Sequence, residues 1–128
     1  MKYTLAALAL ILATPASAAC TVTDGDTIRC GAERIRMLGG GIPNVWGIDA
    51  PEISRPRCQQ ELQLGLIAKD RLYELLSGGF AIEDSGVRDR YGRTLASLRL
   101  SDGRTAGEVL LSEGLAQIWR PGRRVTWC

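Results

Sequence analysis

Three short stretches of the sequence concentrate side chains able to do chemistry: "DGDT" at residues 24–27, "GIDAPE" at 47–52 and "DRYGR" at 89–93. The first two supply carboxylates, Asp24, Asp26, Asp49 and Glu52, while the third and the earlier Arg36 supply guanidinium groups. Carboxylate oxygens suit a hard divalent cation, and guanidinium groups match phosphate oxygens two at a time. Each stretch also has a plainer reading. DGDT alone makes a hairpin turn, GIDAPE a solvated loop entering a helix, and DRYGR a polar turn with an exposed Tyr91. The chain contains no histidine, which excludes a Ser-His-Asp triad, a Cys-His pair and any His-ligated zinc or iron. Hydrolysis by such a chain must use carboxylates, arginines, a hydroxyl or a hard metal ion.

The elements that must position these groups follow from hydropathy. Residues 20–23 and 27–30 form a hairpin around the DGD turn, and 33–38 form a third strand with Ile35 and Met37 or Leu38 facing a core. The segment 39–58 is a loop rich in Gly and Pro. Apolar residues at 64, 68, 72, 75 and 76 make the stripe of a helix over 59–77, stopped by Gly78-Gly79. Residues 80–84 and 94–100 alternate as strands around "GVRDRYGR", 105–113 is a short helix, and the last stretch holds one short strand and a basic tail. This order predicts an α+β, mainly β domain: a five-stranded barrel with two or three helices rather than a parallel sheet.

With 128 residues the chain has room for one domain. Residues 1–18 read as a signal peptide, with one lysine, an apolar run and an Ala-Ser-Ala site cut after Ala18, leaving a domain over 19–128. The run is too short to span a bilayer, and a lipid anchor on Cys20 is the lesser alternative. A periplasmic or secreted domain is expected, with no membrane attachment after cleavage. The 16 basic and 14 acidic side chains nearly balance, so net charge argues for nothing, but Lys2 and Lys69 are the only lysines among the bases. Arginines must therefore be argued one by one. Cys20, Cys30, Cys58 and Cys128 form an even set suited to disulfides in an exported chain. A hairpin centred on Gly25 sets Cys20 opposite Cys30, which leaves Cys58 for Cys128; a zinc site is the rival, but no cysteine pair has the short spacing it requires.

"VTDGDTIRC", then "RIRML…GIDAPE", "DRYGRTLA" and "GLA", in that order, resemble the thermonuclease (staphylococcal nuclease-like) family from about Thr21 to Trp119. The resemblance implies an OB-fold barrel and a Ca²⁺-dependent endonuclease that cleaves DNA and RNA phosphodiesters with low sequence preference, here as a monomer. It implies that Asp26, Asp49 and the carbonyl of Ala50 hold the metal, that Glu52 orients or deprotonates the attacking water, and that Arg36 and Arg93 clamp the phosphate. It places Arg90 and Tyr91 at the nucleotide, while Asp24 fixes its turn. Family spacing sets the arginine five positions before the first carboxylate; deleting "GGGIPNVW", residues 39–46, restores it for Arg36. These residues are then an insertion, whose Trp46 could stack on a base, narrow access or displace Arg36. Trp119 is expected in the core, and Trp127 with Arg120, Arg123 and Arg124 either on the substrate or as solvated surface. The alternative function is a nucleic-acid-binding OB domain whose catalysis the insertion has impaired.

Overall fold

The computed structural model describes residues 20–41, 46–123 and 125–128. The expected signal peptide and the insertion tip at 42–45 lie outside the described residues. Along the chain come β1 (Cys20–Asp24), β2 (Thr27–Cys30), β3 (Glu33–Met37), β4 (Gly47–Asp49), α1 (Gln59–Ser77), β5 (Phe80–Arg88), β6 (Thr94–Leu100), α2 (Ala106–Ser112) and β7 (Gln117–Trp119). Five strands form one sheet in the order β1-β2-β3-β6-β5, in which only β3 and β6 run parallel. The short strands β4 and β7 pair separately and antiparallel, with Ile48 opposite Ile118. The expected closed barrel is corrected in this respect: among the described residues the five-stranded sheet is open, with β1 and β5 as its edges. The two described helices make the domain a mixed α+β fold dominated by strands.

The five sheet strands begin close to where alternation places them, and α1 has the predicted bounds. β5 runs on to Arg88 because the stretch around Gly86 is a bulge rather than a loop. Its ladder with β6 slips between Asp84 and Arg88, and the Ser85 hydroxyl donates to Leu95 O across the gap at 2.6 Å. β4 lies inside the segment expected to be loop; three residues are too few for periodicity to register.

α1 buries Gly65, Ala68, Leu72 and Leu76. Leu72 and Leu76 join Ile28, Ile35, Met37, Ile48, Leu98 and Leu110 in one core. At its N-terminal end the same stripe carries small residues, which sets the helix hard against the loops that bear the carboxylates. A Cβ on Gly25 would lie 2.7 Å from Ala68 Cβ and 2.8 Å from Ala50 Cβ, and one on Gly65 would lie 2.9 Å from Pro51 O. Real Cβ atoms do not come so close, so glycine at both positions permits this approach. Both expected disulfides form: Cys20–Cys30 across the first hairpin, and Cys58–Cys128 tying the tail to the start of α1. Closing the longer loop stabilises by about 3–5 kcal/mol in the chain-entropy model. No described helix is long and apolar enough to cross a membrane.

Candidate active site

Arg36 lies mid-sheet on β3, opposite Thr27 of β2 and Leu95 of β6. Its guanidinium reaches β4, where Nη2 donates to Ile48 O at 3.0 Å and to Asp49 Oδ1. The same nitrogen stands 3.7 Å from Asp26 Oδ2. Asp26 is buried, and each of its oxygens accepts one hydrogen bond: Thr27 Oγ1 donates to Oδ1 and Ala50 N to Oδ2, each at 2.9 Å. One arginine therefore gathers the carboxylates of the DGDT and GIDAPE stretches, and the glycine-rich segment between them does not divide the site. Burial would pull the Arg36 pKa down, but Asp26 and Asp49 outweigh it and hold the guanidinium firmly charged.

The insertion departs and returns at a closed stem. Gly39 N donates to Trp46 O at 3.1 Å, and Leu38 bridges Gly47 in antiparallel fashion. The Thr105 hydroxyl, at the cap of α2, donates to Gly40 O and pins the departing strand. Arg36 is not displaced. Arg34, two residues earlier on the strand, instead donates to Tyr91 O.

Around Arg36 negative charge is in excess. Asp24 Oδ1 accepts from Asp26 N at 3.1 Å and so fixes the turn. Burial, reinforced by Asp26 and Glu52, pushes the Asp24 carboxyl up to about 7. Glu52 is also raised, first by burial and then by Asp26 and Glu61. Glu61, in the first turn of α1, is a residue the sequence reading passed over. It is only 4% exposed, and its carboxylate accepts from Arg57 N at 2.7 Å and Glu52 N at 3.3 Å, so it fixes the backbone that carries Glu52. An acidic residue near a helix start ordinarily answers the helix dipole, which is why its spacing carried no further signal.

A groove of about 570 Å³ runs from Arg36 and Asp49 to Arg90, Tyr91 and Arg93. The turn that carries Arg93 is organised by Asp89, a second residue passed over. Asp89 Oδ1 accepts from Tyr91 N and Arg93 N at 2.9 Å, and Oδ2 from Arg93 Nε at 2.7 Å. An Asp two and four residues before the amides it accepts is the available signal. Arg90 and Arg93 both lie by the Tyr91 ring, 4.8 and 5.4 Å from its centroid. Trp46 and Trp119 also line the groove. Trp119, expected in the core, is 42% exposed. Gly47 sits opposite it on β4, so the indole lies over bare backbone and faces the groove.

Residues 44–125 match the model of the family described as "Staphylococcal nuclease homologue". The chain belongs to that family. It is also 36% identical over 101 residues to the SPbeta prophage-derived endonuclease YokF of Bacillus subtilis (strain 168). That alignment covers 74% of this chain and 31% of the relative, so the chain spans about a third of its length. Asp26 and Arg36 precede the span matched to the staphylococcal nuclease homologues, yet the fold brings both to Asp49.

The donor set fits a hard divalent cation. Asp24, Asp26, Asp49 and Glu52 lie close enough to act electrostatically on this site, and Arg36 is the guanidinium in contact with two of them, Asp26 and Asp49. Among the described residues no three acidic or cysteine side chains already converge as a metal cage. Asp26 and Asp49 with a backbone carbonyl would leave coordination places to water and substrate, which hard cations commonly accept.

Proposed function

We propose that the protein is an exported, divalent-cation-dependent endonuclease that hydrolyses phosphodiesters of DNA, RNA or both with low sequence preference. The observation that carries this reading is Arg36, whose guanidinium stands against Asp49 and Asp26 at the end of the groove that also receives Arg93. The family membership and the endonuclease named among its relatives support the same chemistry.

In this reading Asp26, Asp49 and the Ala50 carbonyl would hold a cation, with Ca²⁺ the best match to an all-oxygen set. When bound, it would polarise the phosphoryl oxygen of the scissile group. Arg36 and Arg93 grip non-bridging oxygens through paired N–H donors, and their charge answers the charge that gathers there as water attacks phosphorus. Glu52 accepts a proton from that water. Glu61 keeps the Glu52 backbone in place for this role. The water oxygen becomes a phosphate oxygen, the ester bond on the far side of phosphorus breaks, and the departing oxygen takes its proton from solvent. Arg90, Tyr91, Trp46 and Trp119 receive the nucleotide along the groove. The signal peptide read from residues 1–18 is what supports action in a periplasm or outside the cell, here as a monomer. Displacement of Arg36 was one route to the rival reading, a binding module with spoiled catalysis, and the closed stem of the insertion argues against that route.

The deciding assay is digestion of single- and double-stranded DNA and of RNA with Ca²⁺ or with chelator. Cleavage that chelation abolishes is expected. Tight binding with no cleavage under any metal would select the binding module.

A further inference from the structure

A second cavity, of about 230 Å³, borders the carboxylates on the side away from Arg93. Asp49 is common to it and to the main groove, so the two spaces meet at the carboxylate nearest Arg36. Asp49 and Glu52 form its inner wall; Arg57, Arg123 and Trp127 form the outer one. That outer wall is held in place. The Cys58–Cys128 bridge anchors the end of the tail, Arg57 Nη1 donates to Val125 O at 3.4 Å, and Gln117 Nε2 donates to Thr126 O at 3.4 Å.

An internal phosphodiester carries a nucleotide on each side of the bond that breaks. The main groove, with Tyr91, Trp46 and Trp119, accounts for one of them. Resting on the endonuclease reading above, we propose that the disulfide-tied tail builds the subsite for the nucleotide on the other side, where Trp127 stacks its base and Arg57 and Arg123 take the adjoining phosphate. The acids of this cavity are already engaged in part: Glu61 accepts from two backbone N–H groups and Asp49 is paired with Arg36. Arg57 and Arg123 are its guanidinium groups, beside Glu52, and the phosphate contact rests on those two groups and not on the net charge of the lining. An indole beside paired cations is the combination that accepts a base and its phosphate without regard to sequence.

The test compares two substrates in Ca²⁺ with the oxidised full chain. One is an oligonucleotide with nucleotides on both sides of each bond; the other is a methyl phosphodiester of a single nucleoside, whose methyl group leaves the tail side without a base. Trp127→Ala, and Trp127→Ala with Arg123→Ala, should lower kcat/KM on the oligonucleotide about tenfold more than on the ester, chiefly through KM. Cys58→Ser with Cys128→Ser should act in the same direction, with thermal melting confirming that each variant folds. Equal loss on both substrates, or loss on neither, overturns the subsite. Affinity for a phosphorothioate oligonucleotide and for a mononucleotide supplies a second arm. If the wild type cleaves neither substrate, the nuclease reading fails, and this arm still decides the subsite. Weaker oligonucleotide binding by Trp127→Ala with mononucleotide binding less affected upholds it, and unchanged oligonucleotide binding rejects it.

Discussion

Arg36 and Arg93 carry the same guanidinium into the same groove, yet the molecule holds them in opposite ways. Arg36 rises from the middle of a sheet, and its partners, Ile48, Asp49 and Asp26, all come from other elements. Arg93 sits at the end of a hairpin turn and is held by Asp89, four residues away within the same turn. Arg36 is thus part of what assembles the site, whereas Arg93 belongs to a self-contained turn presented to it. Two residues with one chemical task can therefore differ sharply in what their loss does to the fold.

The sharpest test of this contrast couples turnover with stability. Arg36→Ala should lower kcat on DNA by at least about a thousandfold, since it removes a charge aimed at the transition state. It should also cost about 2 kcal/mol in urea denaturation, because Asp26 and Asp49 are left close together without their counter-ion. A variant that kept full stability would remove Arg36 from the architecture. Arg93→Ala should cost about a hundredfold in kcat while stability moves by less than about 1 kcal/mol, as for other local ion pairs. Comparable unfolding losses in the two variants would erase the contrast. Glu52→Gln should reduce kcat by about a hundredfold or somewhat more and leave the melting curve in place; wild-type rates would remove Glu52 from the mechanism.

Asp89→Asn should cost about tenfold in kcat, and adding it to Arg93→Ala should cost little more, because the carboxylate works through the arginine. Independent, additive losses would point to direct contact with substrate instead. The turn also has a pH signature. Burial favours the neutral Asp89 carboxyl, but the backbone N–H and guanidinium of Arg93 and the N–H of Tyr91 outweigh it and hold the pKa below the usual range. A lowered pKa in the folded state means stabilisation that is complete above the ordinary carboxylate value, about 3.9, and lost as pH falls through the lowered one. Wild type and Asp89→Asn should therefore differ in Tm near pH 6 and converge in stronger acid.

Much of this arrangement was legible in the residues. The five sheet strands and α1 follow from periodicity, and the Cys20–Cys30 bridge from the length of the first hairpin. Family spacing sets Arg36 with Asp49 despite the intervening segment, and the two are in contact. What escaped was tertiary. The openness of the sheet depends on how far edge strands curl, which local sequence does not encode. β4 offers only three residues, and Trp119 reads as core because nothing local reveals that its cross-strand neighbour is a glycine. Glu61 and Asp89 act through backbone N–H groups, and only the folded chain reveals which amides they meet.

The stem at Leu38 and Gly47 has one further consequence. Because those residues already face each other as partners, the chain between them works like a cassette in a socket: segments of other lengths can be exchanged there without re-registering β3 or β4. The catalytic groups would then stay put while the mouth of the groove is refitted, so new substrate preferences can be gained at this position without rebuilding the machinery beneath.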